Sequence, residues 1–235
     1  MLRPVGKPRV AEEIVEQLRT LILRGQYAVG DKLPPERKLA EELGVNRASL
    51  REAIKALEQM GLVRTRQGDG TRVLDFMQTA GIGLVQHLIT EAGAPNLDTL
   101  IDVLEFRQWF SGETARLAAI CATSEELAQL AKIGDRANET SLEPSDLLKI
   151  DFEFHLLLTR IAKNRVMQLL INTIRSAVEN FADFFSQFHP PTATMRKYHR
   201  ELLKALVEHR PEDARTLTVL YFQRAIDQLR ALKNG

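Results

Sequence analysis

The chain has very little cysteine and few aromatic residues, and it lacks long apolar runs. Its single cysteine, Cys121, excludes an internal disulfide and a cysteine-rich zinc motif. No stretch approaches the roughly 18 uninterrupted apolar residues of a membrane span. The basic start has no apolar stretch behind it, so we expect no secretory signal. These absences predict a protein of a reducing, bacterial-type cytoplasm without a membrane partner.

Charged residues are unevenly distributed along the chain, although the formal net charge is only +1. Residues 1–74 hold 14 Lys and Arg against 10 Asp and Glu, whereas the remainder is mildly acidic. A basic amino-terminal part on a mildly acidic remainder is typical of a DNA-binding module joined to a sensor. We therefore predict a first domain over residues 1–74 and a second over residues 75–235.

The sequence of the first domain predicts three helices followed by a β-hairpin, which is the order of elements in a winged helix-turn-helix. Pro34-Pro35 suits the first turn of the second helix, and Gly44 supplies the positive φ of the turn after it. Asn46 is a good N-cap for the third helix, which Gly61 ends. In such a module the third helix usually lies in the DNA major groove.

Polar side chains crowd the start of the third predicted helix, as the reading of base edges requires. We expect DNA contacts there, at the start of the second helix and at the wing tip, from Arg37, Asn46, Arg47, Ser49, Arg51, Gln67 and Gly68. Bidentate pairing of one arginine with guanine gives roughly 1–3 kcal/mol of discrimination. Arg64, Arg66 and Arg72 are expected to pair with phosphates.

From Asp75 onward the sequence predicts helices only. Seven segments have a helical pattern, over residues 76–91, 97–121, 124–138, 144–163, 165–187, 192–209 and 211–233. Short breaks rich in Gly, Pro, Ser and Asn separate them. The expected fold class is therefore mainly α, with an antiparallel bundle of six to seven helices after the winged helix-turn-helix.

Asp151 and His155 lie four residues apart and therefore share a face of their predicted helix. With His199 from a neighbouring helix they offer a metal site, because carboxylate and imidazole suit Zn²⁺, Ni²⁺ or Mn²⁺. A satisfied polar pair is the alternative interpretation of these residue types. A metal-dependent hydrolase built on the same three residues is a further alternative, although no general base or nucleophile stands at a supporting spacing.

Aromatic residues concentrate in two predicted helices, where they indicate either a bundle core or an apolar effector pocket. They are Trp109 and Phe110 in one helix and Phe181, Phe184, Phe185 and Phe188 in another. Arg107, Arg116 and Arg175 are candidates to pair with a carboxylate or phosphate of an effector. Arg107 is the first choice, because it lies on the same predicted helix as Trp109.

Residues 33–37, 45–53 and 68–71 resemble the GntR family of bacterial transcription regulators. The family pattern combines a Leu-Pro-[Pro/Ser]-Glu-Arg start, a Val-x-Arg-x-[Ser/Thr]-[Leu/Val]-Arg-Glu-Ala recognition helix and a glycine-rich wing. The resemblance implies that the matching arginines, the serine and the wing tip contact DNA. It also implies that Asn46 and Ala48, at variable positions, tune the operator sequence.

Residues 76–230 resemble the all-helical ligand-binding domain of the FadR branch of that family, on the segments 151–155 and 199–205. Many members bind a metal through one aspartate and three histidines, together with a carboxylate ligand. Asp151, His155 and His199 match three of these ligands, whereas Tyr221 stands at the fourth position. The resemblance therefore implies either a site completed by effector or water, or no metal.

The metal-free fatty-acid regulator that gives the branch its name binds long-chain acyl-CoA in this domain. Residues 75–82 and 100–104 resemble that regulator, so an acyl thioester competes with a metal-bound carboxylate as the effector. We place the effector beside Arg107, Trp109, Phe184 and Tyr221. The resemblance implies a homodimer on a pseudo-palindromic double-stranded DNA operator, with a role in fatty acid metabolism if the effector is acyl-CoA.

Overall fold

The structure is a computed structural model that describes residues 9–91, 94–137, 142–180, 186, 188 and 190–234. It is mainly helical, as the sequence predicted. Contacts within the chain divide it into two units, Met1–Glu91 and Ala92–Gly235. Among the described residues, no helix combines the length and the apolar character needed to cross a membrane.

The first unit confirms the predicted winged helix-turn-helix. It contains α1 (Arg9–Leu23), α2 (Glu36–Leu43), α3 (Arg47–Gln59), β1 (Val63–Arg66) and β2 (Gly70–Val73). The two strands are antiparallel, with Val63 opposite Val73. The apolar faces of the helices and the hairpin enclose one core, in which Leu50, Leu57 and Leu62 are fully buried.

The segment before α2 forms backbone hydrogen bonds along β2, beside the hairpin of the wing. Sequence reasoning missed this pairing. Leu33 N–H donates to the carbonyl of Thr71, and Val73 N–H donates to the carbonyl of Asp31, both at 2.9 Å. Pro34-Pro35 marked this segment only as the approach to a helix. The pairing attaches that approach to β2, so the start of α2 and the wing are held together.

Residues 76–91 form several short elements, so the single helix predicted there is wrong. The elements are α4 (Phe76–Thr79), a 3-10 turn (Ile82–Leu84), α5 (Val85–Leu88) and β3 (Thr90–Glu91). Gly81 and Gly83 interrupt the apolar pattern, and glycine is a poor helix former. Leu84 is buried in the core of the first unit, so this segment packs with that unit.

The second unit is a bundle that begins after the short strand β4 (Ala94–Pro95). Its described helices are α6 (Leu97–Cys121), α7 (Ser124–Arg136), α8 (Pro144–Ile161), α9 (Arg165–Asn180), α10 (Thr192–Val207) and α11 (Pro211–Asn234). The helices α6 and α11 run antiparallel, since Asp98 pairs with Lys233 and Glu105 pairs with Arg230. The bundle thus agrees with the predicted fold class.

Gly61, at the end of α3, occupies a place where no side chain fits. Its φ is +75°, and a Cβ built on it would lie 2.4 Å from the carbonyl oxygen of Thr79. Thr79 Oγ1 donates to the Gly61 carbonyl at 2.6 Å. Gly25 has a similar φ of +71°, but nothing lies within 4 Å of its Cβ position.

We expect Gly61→Ala to destabilise the first unit more than the matched control Gly25→Ala. The left-handed conformation costs about 1–2 kcal/mol in both variants. The clash with the Thr79 backbone adds roughly 1–3 kcal/mol in Gly61→Ala alone. Amide hydrogen exchange of α3, followed by mass spectrometry, measures the free energy of opening. Equal losses in the two variants would contradict the close approach.

Candidate functional site

The start of α3 is built to present polar side chains from a fixed scaffold. Asn46 caps the helix, because its Oδ1 accepts the backbone N–H of Ser49 at 2.9 Å. Gly44, with φ of +65°, ends α2 and makes the turn between the helices tight. Leu50 and Ile54 bury the opposite face of α3. The cap uses the amide oxygen of Asn46, which leaves its amide nitrogen for an external contact.

The residues that the sequence singled out for DNA lie at the surface of the first unit. Arg37, Asn46, Arg47, Arg51, Gln67 and Gly68 are exposed, and Ser49 is half-buried. Arg37 pairs with Glu41 at 3.8 Å, and Arg51 pairs with Glu36 at 2.8 Å. Such exposed pairs contribute only about 0–1 kcal/mol, so phosphate or a base edge can replace them. Within the described part of the chain, Arg47 forms no ion pair.

The wing has its own charge cluster around Asp69. Arg72 Nε donates to Asp69 at 2.7 Å, and Arg72 Nη1 donates to the Gly30 carbonyl at 2.8 Å. Lys32 Nζ lies 2.5 Å from the same carboxylate. Hydrogen bonds from Arg72 and Lys32 hold the pKa of Asp69 well below its usual range. Arg72 pairs with Asp69 within the wing and is itself exposed, as are Arg64 and Arg66, so their contacts with phosphates stay a prediction.

Asp151 lies at the centre of a buried polar cluster in the second unit. Its Oδ1 is 3.0 Å from His199 Nε2, 3.0 Å from the Tyr221 hydroxyl and 3.8 Å from His155 Nε2. These side chains come from α8, α10 and α11, and none is more than 6% exposed. The structure thus brings together the three residues singled out as metal ligands and the tyrosine at the fourth position.

A second chain of hydrogen bonds connects His155 to the backbone of α11. The Tyr198 hydroxyl lies 3.4 Å from His155 Nε2 and donates to Thr218 Oγ1 at 3.1 Å. Thr218 in turn donates to the Ala214 carbonyl at 2.8 Å. The rings of Tyr198 and Tyr221 stack with centroids 4.0 Å apart. Burial raises the pKa of both tyrosine hydroxyls well above its usual range, so both stay protonated.

Sequence reasoning missed Tyr198 and Thr218, although a weak signal for each was present. Tyr198 immediately precedes His199, and Thr218 lies three residues before Tyr221 on the same face of α11. Tyrosine and threonine have many roles in helix cores, so the spacing alone does not single them out. Assigning these two residues to the polar cluster requires knowing how α8 packs against α10 and α11.

Arg107 is buried beside this cluster and keeps unused hydrogen-bond donors. It is 4% exposed, and its Nε and Nη2 atoms have no hydrogen-bond partner among the residues that the structure describes. The guanidinium carbon lies 4.9 Å from the ring centroids of both Phe152 and Phe222. Burial lowers the pKa of Arg107, and the nearby charge of Asp151 opposes that effect. A buried cation with unused donors is suited to an anion.

A cavity of about 40 Å³ adjoins Arg107, Asp151 and Tyr221. Its other lining residues are Leu104, Leu148, Phe188, Pro190, Phe222 and Ala225. A water molecule needs about 10–15 Å³ by this measure, so there is room for a small polar group. As the described side chains stand, a long acyl chain does not fit in this volume.

Trp109, the other described residue proposed for the effector, does not line this cavity. Trp109 is 59% exposed, because residues two positions apart on a helix point to different sides and Arg107 takes the inward one. Phe184, like Phe181 and Phe185, lies outside the described residues. Arg116 donates to Glu113 on its own helix, and Arg175 is exposed. Of the three candidate arginines, Arg107 is the one at the cavity.

A winged helix-turn-helix followed by a helical unit with a buried polar site defines a class of two-domain transcription regulators. Residues 10–73 match the model for bacterial regulatory proteins of the gntR family, and residues 102–224 match the FCD domain. The chain belongs to the GntR family of bacterial transcriptional regulators and has the FadR-type carboxy-terminal domain.

Similar proteins include both a transcriptional activator and a transcriptional repressor. The chain is 34% identical over 214 residues to the HTH-type transcriptional regulator Mce2R of Mycobacterium tuberculosis, covering 91% of this chain and 89% of that protein. It is 28% identical to the Glc operon transcriptional activator of Escherichia coli, over 87% of this chain and 83% of the activator. It is 26% identical to the HTH-type transcriptional repressor NanR of an Enterobacter species, over 90% of this chain and 82% of the repressor.

One solved structure supports the fold. It belongs to the Listeria monocytogenes protein Lar, described as controlling expression of the agr system, and it matches with a TM-score of 0.59. The match covers 98% of this chain and all of that chain at 20% sequence identity, which is evidence for the fold alone. Since the relatives are transcriptional regulators, the alternative interpretation as a metal-dependent hydrolase has no support.

We expect Tyr221→Phe to destabilise the second unit, because the buried carboxylate of Asp151 loses a donor. The expected loss in the free energy of unfolding is about 1–3 kcal/mol. Urea unfolding followed by the fluorescence of Trp109, the only tryptophan, measures this unit. The matched control is Tyr27→Phe, which removes a hydroxyl from the first unit. Equal unfolding curves for the two variants would show that the Tyr221 bond contributes nothing.

Proposed function

We propose that this regulator binds a pseudo-palindromic DNA operator as a homodimer, and that a small carboxylate bound beside Arg107 controls its operator affinity. The observation that carries the effector assignment is the buried guanidinium of Arg107, whose Nε and Nη2 donors are unused within the described residues. A carboxylate would accept these donors in bidentate geometry.

The DNA-binding half of the proposal is supported by the surface of the first unit. Arg47 and Arg51 extend from the start of α3, whose other face is packed into the core. Two such helices related by a two-fold axis match two half-sites of an operator. Dimerisation doubles the base contacts and so brings the affinity and specificity into the range needed to find one site in a genome.

The effector can act only through a difference in affinity between two arrangements of the dimer. A coupling of about 1–3 kcal/mol would change operator affinity by about 5–150-fold. The cavity beside Arg107 has room for a small acid but, as the described side chains stand, not for a long acyl chain. The relatives include an activator and a repressor, so the sign of regulation is left open by the comparisons.

We expect Arg47→Ala to weaken operator binding about 5–150-fold, which corresponds to the loss of one bidentate base contact. Fluorescence anisotropy with labelled DNA from the region upstream of the protein's own gene, at several salt concentrations, measures the affinity. The control is Arg165→Ala, which removes an exposed arginine from α9. If Arg47→Ala and Arg165→Ala bind equally well, Arg47 does not read the operator.

We expect a small carboxylate to raise the melting temperature of the wild type and of Arg116→Gln, but not of Arg107→Gln. Arg116 is on the same helix and is occupied by Glu113, which makes it a matched control. The probes are acetate, lactate, succinate and palmitoyl-CoA, each followed by thermal unfolding and by operator binding. A response to palmitoyl-CoA alone would favour the acyl thioester. An undiminished response in Arg107→Gln would reject the assignment of Arg107.

A further inference from the structure

The side chains around Asp151 are connected to one another by hydrogen bonds. We infer that Asp151, His155, His199 and Tyr221 form a metal-free hydrogen-bonded cluster in which both imidazole Nε2 atoms are donors. The cluster thus differs from the sites of one aspartate and three histidines that the family resemblance implies. The inference concerns only these side chains and does not depend on the identity of the effector.

The direction of the hydrogen bonds around Tyr198 determines the protonation of His155. The Ala214 carbonyl can only accept, so the Thr218 hydroxyl donates to it. Thr218 Oγ1 then accepts from the Tyr198 hydroxyl, which has a single proton to give. The Tyr198 oxygen therefore faces His155 Nε2 as an acceptor, at 3.4 Å. A nitrogen that donates to this oxygen carries a hydrogen, which a metal ion would have to displace together with the hydrogen bond.

The same reasoning applies to His199. The ionised carboxylate of Asp151 can only accept, and it lies 3.0 Å from His199 Nε2. His199 Nε2 therefore carries the hydrogen of this bond. The Tyr221 hydroxyl donates to the same oxygen, also at 3.0 Å. Asp151 Oδ1 thus receives two donors at the place where a metal ion would have to lie.

The other nitrogen of His199 supports this assignment. Histidines that ligate metals usually donate their second N–H to a carboxylate, a carbonyl or water. His199 Nδ1 is buried and has no partner among the described residues. The ring is fixed in place by Phe154, which stacks on it with centroids 3.9 Å apart. An unprotonated Nδ1 matches the Nε2–H form, whereas metal binding at Nε2 would leave an N–H without an acceptor.

Arg107 supplies the positive charge that a metal would otherwise provide. Its buried guanidinium lines the same cavity as Asp151 and Tyr221. A divalent ion beside this fixed cation would be repelled in an environment of low dielectric constant. Across the described ranges, no group of three or more His, Cys, Asp or Glu side chains is arranged to hold a metal ion. The residues present therefore do not fit the implied metal.

Nitrogen NMR of the untagged full-length protein tests the assignment directly. We expect the long-range ¹⁵N–¹H spectrum to show His155 and His199 in the Nε2–H form. We also expect the signals of both to be unchanged after EDTA treatment and addition of ZnCl₂ or NiCl₂. A spectrum in which either Nε2 lacks its hydrogen, or shifts as a metal-bound nitrogen, would overturn the inference. This readout uses neither DNA nor effector, so it is independent of the proposed function.

Metal titration of two variants gives a second test. After EDTA treatment, calorimetry and elemental analysis should find no stoichiometric Zn²⁺, Ni²⁺ or Mn²⁺ in the wild type. Tyr221→His should gain about one ion per chain and a higher melting temperature with that metal, since metal binding couples to folding. Tyr221→Phe, the matched control, should gain neither. Stoichiometric metal in the wild type would overturn the inference, whereas no gain in a folded Tyr221→His would support it, since Arg107 would then exclude the ion even with a fourth ligand present. If Tyr221→His does not fold, the NMR result decides.

Discussion

The buried carboxylate of Asp151 is the constraint on which the second unit depends. A charge this deep in the bundle is tolerated only if donors and a counter-charge surround it. His199 and Tyr221 supply hydrogen bonds from α10 and α11, and Arg107 supplies positive charge from α6. One group thus makes four helices interdependent, since a shift of any helix would separate a partner from the carboxylate.

The same arrangement leaves hydrogen-bond donors of Arg107 without an acceptor among the described residues, and the proposed function depends on these donors. Phe152 and Phe222 cover the guanidinium with their rings, which solvate a cation only in part. Two donors face no acceptor among the described residues. A bundle stabilised mainly by apolar packing can keep such a group, and under the proposed function a bound carboxylate would supply the missing acceptors.

Local chemistry decided which parts of the fold were predictable from the sequence. Pro34-Pro35, Gly44 and Asn46 act through their own backbone and side chains, so the helix-turn-helix was visible before any contact was known. The segment 76–91 was misread because Gly81 and Gly83 outweigh an apolar pattern, and because Leu84 packs in the core of the first unit. Arg107 and Tyr221 were singled out by residue type and resemblance, and their role in effector binding stays a prediction. The place of Tyr198 and Thr218 in the polar cluster depends on how the helices pack against one another, which residue spacing along one helix does not show.

The contact between Gly61 and Thr79 connects the end of α3 to the segment that follows the wing. Gly61 directly follows the end of α3, and Thr79 belongs to the segment through which the chain continues toward the second unit. The bond joins two backbone stretches that approach too closely for any side chain to come between them. A displacement of the segment around Thr79 would therefore be passed to the end of α3, because no side chain separates the two backbones.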